Sequence, residues 1–216
     1  MQSLMSLSQM SQKGTHHNMI DAIYQRRSIR YFTDAPIRPE DLKEILRAGM
    51  RAPSPKNRQP WRFLIFTGAA KEKLLAAMGK GIARSEEGAG LLEPLSAYIE
   101  NAKFTLRAMR EAPVTVIIVN PLGRSPRAHW TAADKINELS NVQAVGAAAE
   151  NMALAATDLG IASLWNGNIF YAYDEICALL DEPGEPVLAM SLGYDARPTL
   201  RPLGRKREED VVRFMS

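Results

Sequence analysis

The residues best suited to chemistry fall in two short stretches, Arg26-Arg27-Ser28-Ile29-Arg30 and the loop Ala52 to Pro60, which reads APSPKNRQP. The first packs three guanidiniums and a hydroxyl into five residues. A guanidinium fork matches phosphate oxygens two at a time, and a serine hydroxyl adds a further donor. The same cluster would also serve as a solvated charged face at a helix C-terminus, where cations suit the dipole. The second stretch sets Ser54, Asn57 and Gln59 among three prolines, which stop a helix and stiffen the chain. A rigid polar loop between a helix and a strand is a good place for ligand contacts, although such side chains also satisfy local backbone.

The elements that must position these residues are readable from spacing. Asn18 and Asp21 resemble a helix start, followed by Ile20, Ile23 and Tyr24 on one face and running out into the arginines. Pro39, Glu40 and Asp41 begin a second helix, with Leu42, Ile45, Leu46, Gly49 and Met50 as its apolar stripe. Trp61 to Thr67 then reads as a buried strand. A helix over Ala69 to Met78 should yield to a glycine-rich charged stretch, 79–90, and Leu91 to Met109 returns to a helical pattern. Pro113 to Asn120 is a β-branched run without polar alternation, hence a strand buried on both faces. Asn141 to Leu159 is a long alanine-rich helix closed by Gly160, with Val142, Val145, Ala149, Met152 and Leu159 on roughly one face. Ile161 to Trp165 forms a strand ending in Trp165-Asn166-Gly167-Asn168, where the glycine lets backbone approach a ligand. A short helix over Tyr173 to Leu180 and a last strand over Glu185 to Tyr194 follow.

Composition bounds the class. A chain of 216 residues, 46% hydrophobic and 24% charged, suits one sizeable globular α/β domain, taken here as residues 18–216. Its net charge of +3 comes with 24 acidic residues and no aromatic-basic motif, which argues against nucleic acid. The single cysteine, Cys177, excludes an internal disulfide and suits a reducing cytoplasm; on a helix it reads as a buried, inert thiol. Residues 1–17 are polar and rich in serine and glutamine, expected to be a mobile arm without the apolar core of a signal peptide. His16 and His17 are adjacent and His129 is remote, so no metal-ligand spacing exists. No apolar run approaches the roughly 20 residues that span a bilayer.

RRSIRYF followed by PxxxxxLxxILxAGxxAPSPxNxQPW closely resembles the nitroreductase family of flavin enzymes, and NMALAATDLGIASLWNG and SLGYDARP…RKREED follow in the family's order. That resemblance implies an α+β sandwich, with a central, mainly antiparallel sheet flanked by helices. It also implies an obligate homodimer with shared active sites, in which the Asn141–Leu159 helix lies in the dimer core. The implied cofactor is FMN. Arg26, Arg27 and Ser28, with Arg205 and Arg207, would hold its phosphate, and Arg30 would lie near the pyrimidine side of the ring. Pro53, Ser54, Asn57 and Gln59 would contact the ribityl chain or ring edge, in part from the other subunit. Trp165, Asn166 and Gly167 would address the reactive flavin nitrogen through backbone groups.

In the family's terminal motif a second cation commonly precedes the phosphate arginine by two residues, but Leu203 stands there; Lys206, Arg207 or Arg201 would substitute. Tyr98 and Phe104 lie in the region that shapes the family's substrate channel, and core packing accounts for them equally well. The implied activity is ping-pong transfer from NAD(P)H through FMN to a nitroaromatic, quinone or similar small acceptor. No acid-base dyad is needed, because the flavin carries the electrons. No GxGxxG fingerprint marks a separate dinucleotide domain. Alternatives are a non-catalytic flavin-binding or sensing module, and a specialised relative that fragments flavin, dehalogenates, or oxidises azolines. A helical interaction protein without cofactor would leave RRSIR and APSPKNRQPW unexplained.

Overall fold

The computed structural model describes residues 19–91, 98–198 and 204–215. The arm over residues 1–17, the N-cap Asn18, and Arg201 and Leu203 of the tail lie outside them. The described chain runs α1 (Met19–Gln25), α2 (Pro39–Gly49), β1 (Arg62–Phe66), α3 (Gly68–Glu86), α4 (Ile99–Glu111), β2 (Val114–Asn120), α5 (Ala132–Asp158), β3 (Ala162–Asn166), α6 (Tyr173–Leu180) and β4 (Glu185–Gly193). The four strands form one sheet in the order β1-β2-β4-β3, with every neighbouring pair antiparallel. This is the α+β sandwich expected from the sequence.

The central strands carry the core. All seven residues of β2 are buried, as its unbroken apolar run requires. Successive side chains of a strand point to opposite faces. Val114, Val116 and Ile118 accordingly join β4's Leu188, Met190 and Leu192 against α2 and α5. Ile117, Val119 and Ala189 pack on the other face against α3, α4 and α6. Two helical layers thus close the sheet, and β2 and β4 fix where its edges lie.

Four elements differ from the sequence reading. β1 is not a fully buried strand: it is an edge strand, and Ile65 is 41% exposed. α3 does not stop at Met78 but continues to Glu86. Gly81 sits against another element; a Cβ there would lie 2.3 Å from the Ala172 Cα. That glycine marks a close approach rather than a break. α4 begins at Ile99 instead of Leu91. α5 begins about two and a half turns before Asn141, at a capping box in which Thr131 and Asp134 bond each other's backbone N–H.

Within α5, Val145, Ala149 and Met152 are fully buried, while Val142 is 39% exposed. α2 approaches it closely at its own Gly49, where a Cβ would come within 2.7 Å of Met152 Cγ. Ile20, Ile23 and Tyr24 of α1 face outward in the single chain, where Ala22 is the helix's buried residue. No helix among the described residues is long and apolar enough to cross a membrane.

Candidate functional site

The arginine segment is built onto the sheet. After α1 ends, the chain runs parallel to β3, with Ser28 bridged to Ser163 and Ile29 N–H donating to Ser163 O at 3.0 Å. Farther on, Thr33 N–H donates to Tyr194 O and Ala196 N–H donates to Tyr31 O. These bonds, with Ile29 and Phe32 buried, tie the segment first to β3 and then to the stretch that follows β4. Arg30 folds its guanidinium back on the segment, Nη1 donating to Ser28 O at 3.1 Å.

Alternation sorts the side chains. Arg27 and Ile29 line a cavity of about 460 Å³ with Thr157, Ser163 and Asp195, and Arg27 lies 3.7 Å from the Asp195 carboxylate. Ser28 and Arg30, both exposed, project from the other side of the segment. Arg26 is steadied by Glu150 of α5 at 3.1 Å. The arginines therefore do not all converge: Arg27 is turned toward Asp195, away from Ser28.

The turn after β3 belongs to the same neighbourhood. Trp165 is 40% exposed, whereas Asn166 is buried with Nδ2 donating to Ser191 Oγ at 2.8 Å and Oδ1 left without a partner. A Cβ added at Gly167 would meet nothing within 4 Å, so open space lies over that backbone. α4 flanks this edge, because Asn168 Nδ2 donates to Thr105 Oγ1 at 2.8 Å.

α4 also delivers two residues to the arginine segment. Phe104 packs edge-on against Tyr31 at 6.1 Å between centroids, and the Arg107 guanidinium sits 4.4 Å from the Phe104 ring and 4.9 Å from that of Tyr31. Arg197 covers Tyr31 from 3.7 Å. Arg107, reinforced by Arg197, holds the Tyr31 phenol below its ordinary value. Sequence reasoning missed Arg107 and Arg197. Arg107 and Glu111, four apart, look like an ordinary exposed helical ion pair. Phe104 thus packs in a cluster with Tyr31, while Tyr98 is 54% exposed.

The APSPKNRQP loop lies elsewhere. It follows α2 and enters β1, the opposite edge of the sheet. Lys56, Asn57 and Gln59 all have φ near +50°, in the left-handed region that costs a non-glycine residue on the order of 1 kcal/mol. Ser54 Oγ holds the loop by accepting from Gln59 N–H at 2.9 Å, and Arg58 donates to Asn137 of α5 at 3.2 Å. Pro53, Asn57 and Gln59 are exposed. Three successive strand pairings and the added arginine segment separate this loop from Ser28, on the order of 19 Å at about 4.8 Å per step. Along α5, its contact at Asn137 and Arg26's contact at Glu150 are about 20 Å apart at about 1.5 Å per residue. The two segments do not meet in one chain.

Arg205 and Arg207 are exposed, and Arg207 pairs with Glu209 at 2.6 Å and Asp210 at 3.3 Å. No metal-binding cluster of His, Cys, Asp and Glu occurs among the described residues. Cys177 is half-buried on α6, and burial pushes its thiol up, away from reactivity.

Comparison with known proteins gives this arrangement a family. An Archaeoglobus fulgidus protein named for NADH dehydrogenase/NAD(P)H nitroreductase is 32% identical over 178 residues, 80% of this chain and 82% of that protein. A BluB-like flavoprotein from Clostridium difficile shares the fold with a TM-score of 0.70 at 25% identity, over 93% of this chain and all of that one. The FMN-dependent nitroreductase NfnB from Mycobacterium smegmatis, solved with NADPH, superposes with a TM-score of 0.70 at 19% identity, over 92% and 100% of the two chains. The sequence profile of the Nitroreductase family spans residues 23–194, from the arginine segment through the last strand, and the chain belongs to that family.

Proposed function

We propose that this chain is an FMN-dependent oxidoreductase that takes electrons from NAD(P)H and passes them to a nitroaromatic, quinone or similar small acceptor. It would work as a homodimer with shared sites, each chain contributing one FMN-binding unit over residues 18–216. One observation carries the shared-site reading: the two ligand-type segments stand on opposite edges of one sheet, so a site using both needs two chains.

The residues present fit the cofactor. Arg26 and Ser28 offer charge-assisted donors suited to a phosphate, with Arg27, Arg205 and Arg207 as further cations. Arg30, and Arg107 stacked on the adjacent Tyr31, would bring positive charge toward the ring's pyrimidine edge. The unpartnered Asn166 Oδ1 and the open space over Gly167 suit close approach of a polar ring edge, with exposed Trp165 beside them. Pro53, Ser54, Asn57 and Gln59 of the second chain would complete the site, held in a strained and hence preset conformation. FMN supplies the electron-carrying chemistry when bound. The protein's part is to bind, orient and tune it, and to leave one face open where donor and acceptor take turns.

The test is a subunit-mixing experiment on flavin content and NAD(P)H oxidation. Arg26→Ala/Ser28→Ala and Ser54→Ala/Asn57→Ala would each lose FMN as homodimers. If subunits exchange freely in an equal mixture, about half of the dimers pair the two variants. Each such dimer has one undamaged site, so about a quarter of all sites should recover yellow colour and quinone-dependent turnover. Wild-type protein without FMN, and unable to bind it, would sink the oxidoreductase reading. Recovered flavin without turnover on any quinone or nitroaromatic would leave a non-catalytic flavin module, and no recovery on mixing would refute shared sites.

A further inference from the structure

A second, smaller cavity lies between the loop that joins β2 to α5 and the first turns of α5 itself. It encloses about 150 Å³, and Arg58 reaches it from the APSPKNRQP loop. Its floor is polar and incompletely satisfied. Asn141 is 2% exposed, lines the cavity, and has an Oδ1 without a hydrogen-bond partner. A buried amide oxygen left bare costs on the order of 1–3 kcal/mol, so it calls for a donor.

Glu138 stands one turn earlier on the same helix and lines the same space. One carboxylate oxygen accepts from Asn120 Nδ2 at 2.9 Å. No ion pair joins Glu138 to a cation among the described residues. Burial, with the Glu185 carboxylate adding to it, holds the Glu138 carboxyl above its ordinary range, the state of an acid that lacks a positive partner.

The mouth has the opposite character. Arg58 is exposed and gives one N–H to Asn137, and Arg124, half exposed, gives one to Asp134 at 2.8 Å. Each guanidinium carries five N–H donors, so both keep unused ones. Asp134 accepts on its Oδ2 from the Thr131 hydroxyl, the Thr131 N–H and Arg124. Trp130 forms one wall with its indole N–H committed to Ser125 O at 3.0 Å, and so adds surface rather than a donor. Charge is therefore graded from acceptors at the floor to guanidiniums at the rim.

We propose that this cavity binds a small zwitterion of the α-amino-acid type, its ammonium group on Glu138 and Asn141 Oδ1 and its carboxylate on Arg58 and Arg124. The space, about 150 Å³ and open past the exposed Arg58, takes the head group of glycine or alanine, whereas a branched apolar side chain would meet the two guanidiniums at the mouth. The lining holds two cations and two carboxylates, which selects an uncharged or dipolar ligand over a simple anion.

Isothermal titration of the full-length protein with glycine and L-alanine tests this, with acetate, methylammonium and L-leucine as comparators. Glycine or alanine should bind saturably, and acetate, methylammonium and leucine should bind at least tenfold more weakly. Glu138→Gln keeps an acceptor for Asn120 but removes the charge, and should weaken glycine binding at least tenfold while flavin content stays unchanged. Absence of saturable glycine and alanine binding would overturn the proposal, leaving a site for water only. Equal binding of acetate, or unaltered binding by the Glu138→Gln variant, would overturn it as well. If that variant does not fold, thermal unfolding of the wild-type protein decides: a saturable rise in Tm with glycine but not acetate supports the site, and no rise refutes it.

Discussion

The two edges of the sheet carry similar chemistry in opposite states. The arginine segment is bonded to the backbone of β3 and of the stretch after β4, Arg26 and Arg27 are steadied by Glu150 and Asp195, and α4 adds Arg107. Beside β1 the loop stands out from its own chain, kept in place by a few bonds and by three residues with left-handed backbone. One half is preset by integration and the other by strain. A ligand bridging both would thus meet a rigid floor from one chain and a rigid clamp from its partner, so little ordering entropy would remain to oppose binding.

The sharpest break in this comparison is loss of the integrated half. Arg26→Ala/Ser28→Ala should lower FMN affinity by about 100-fold or more, since each charge-assisted bond contributes on the order of 1.5–3 kcal/mol, with Tm little changed. Equilibrium dialysis followed by flavin absorbance would measure it, and a large drop in Tm would mean these residues chiefly hold the fold. The support beneath that half comes next. Lys71 of α3 is buried and donates to the Arg110 and Ala112 carbonyls at the end of α4, at 2.8 Å for Arg110. Lys71→Met would leave both carbonyls unpaired and should cost about 1–3 kcal/mol in urea unfolding.

At the strained edge the expected effects are smaller and change sign. Gln59→Gly should stabilise the chain by up to about 1 kcal/mol by relieving its positive φ, while flavin retention falls because the clamp loosens. Unchanged flavin retention would mean the strain has no part in binding. Smallest is a pH effect near that loop. Thr131, followed by Arg124, holds the Asp134 carboxyl below its usual value. Its contribution is present above the ordinary aspartate pKa of about 3.9 and is lost as pH falls further, through the folded-state value. Asp134→Asn should therefore flatten the stability curve below about pH 4 and leave it nearly parallel to wild type above pH 5. Urea midpoints across that range would check it.

Residue types and spacing were enough to identify the arginine segment, the proline-bounded loop, the Trp165–Gly167 turn and all four strands. Strong local signals made them legible: unbroken β-branched runs, prolines at a helix end, and guanidiniums in sequence. Weaker local signals misled. Gly79 and Gly81 read as a break in α3, because sequence does not reveal that Ala172 presses against one of them. The helix read from Asn141 misses the polar opening of α5, where Thr131 and Asp134 cap it. Arg107, Arg197, Glu150 and Asp195 passed unnoticed because their partners lie far along the chain.

The family and the chemical character of each segment were therefore decided by sequence alone, since both depend on residue identity at short spacing. Which segments face one another was not. Strand order, set by how β2 and β4 bury both faces, sends β1 and β3 to opposite edges and so divides the candidate site in two. The cavity over Asn141 likewise exists only because the β2–α5 loop folds back across the first turns of α5. Such placement is the outcome of long-range packing, to which no local pattern of residues corresponds.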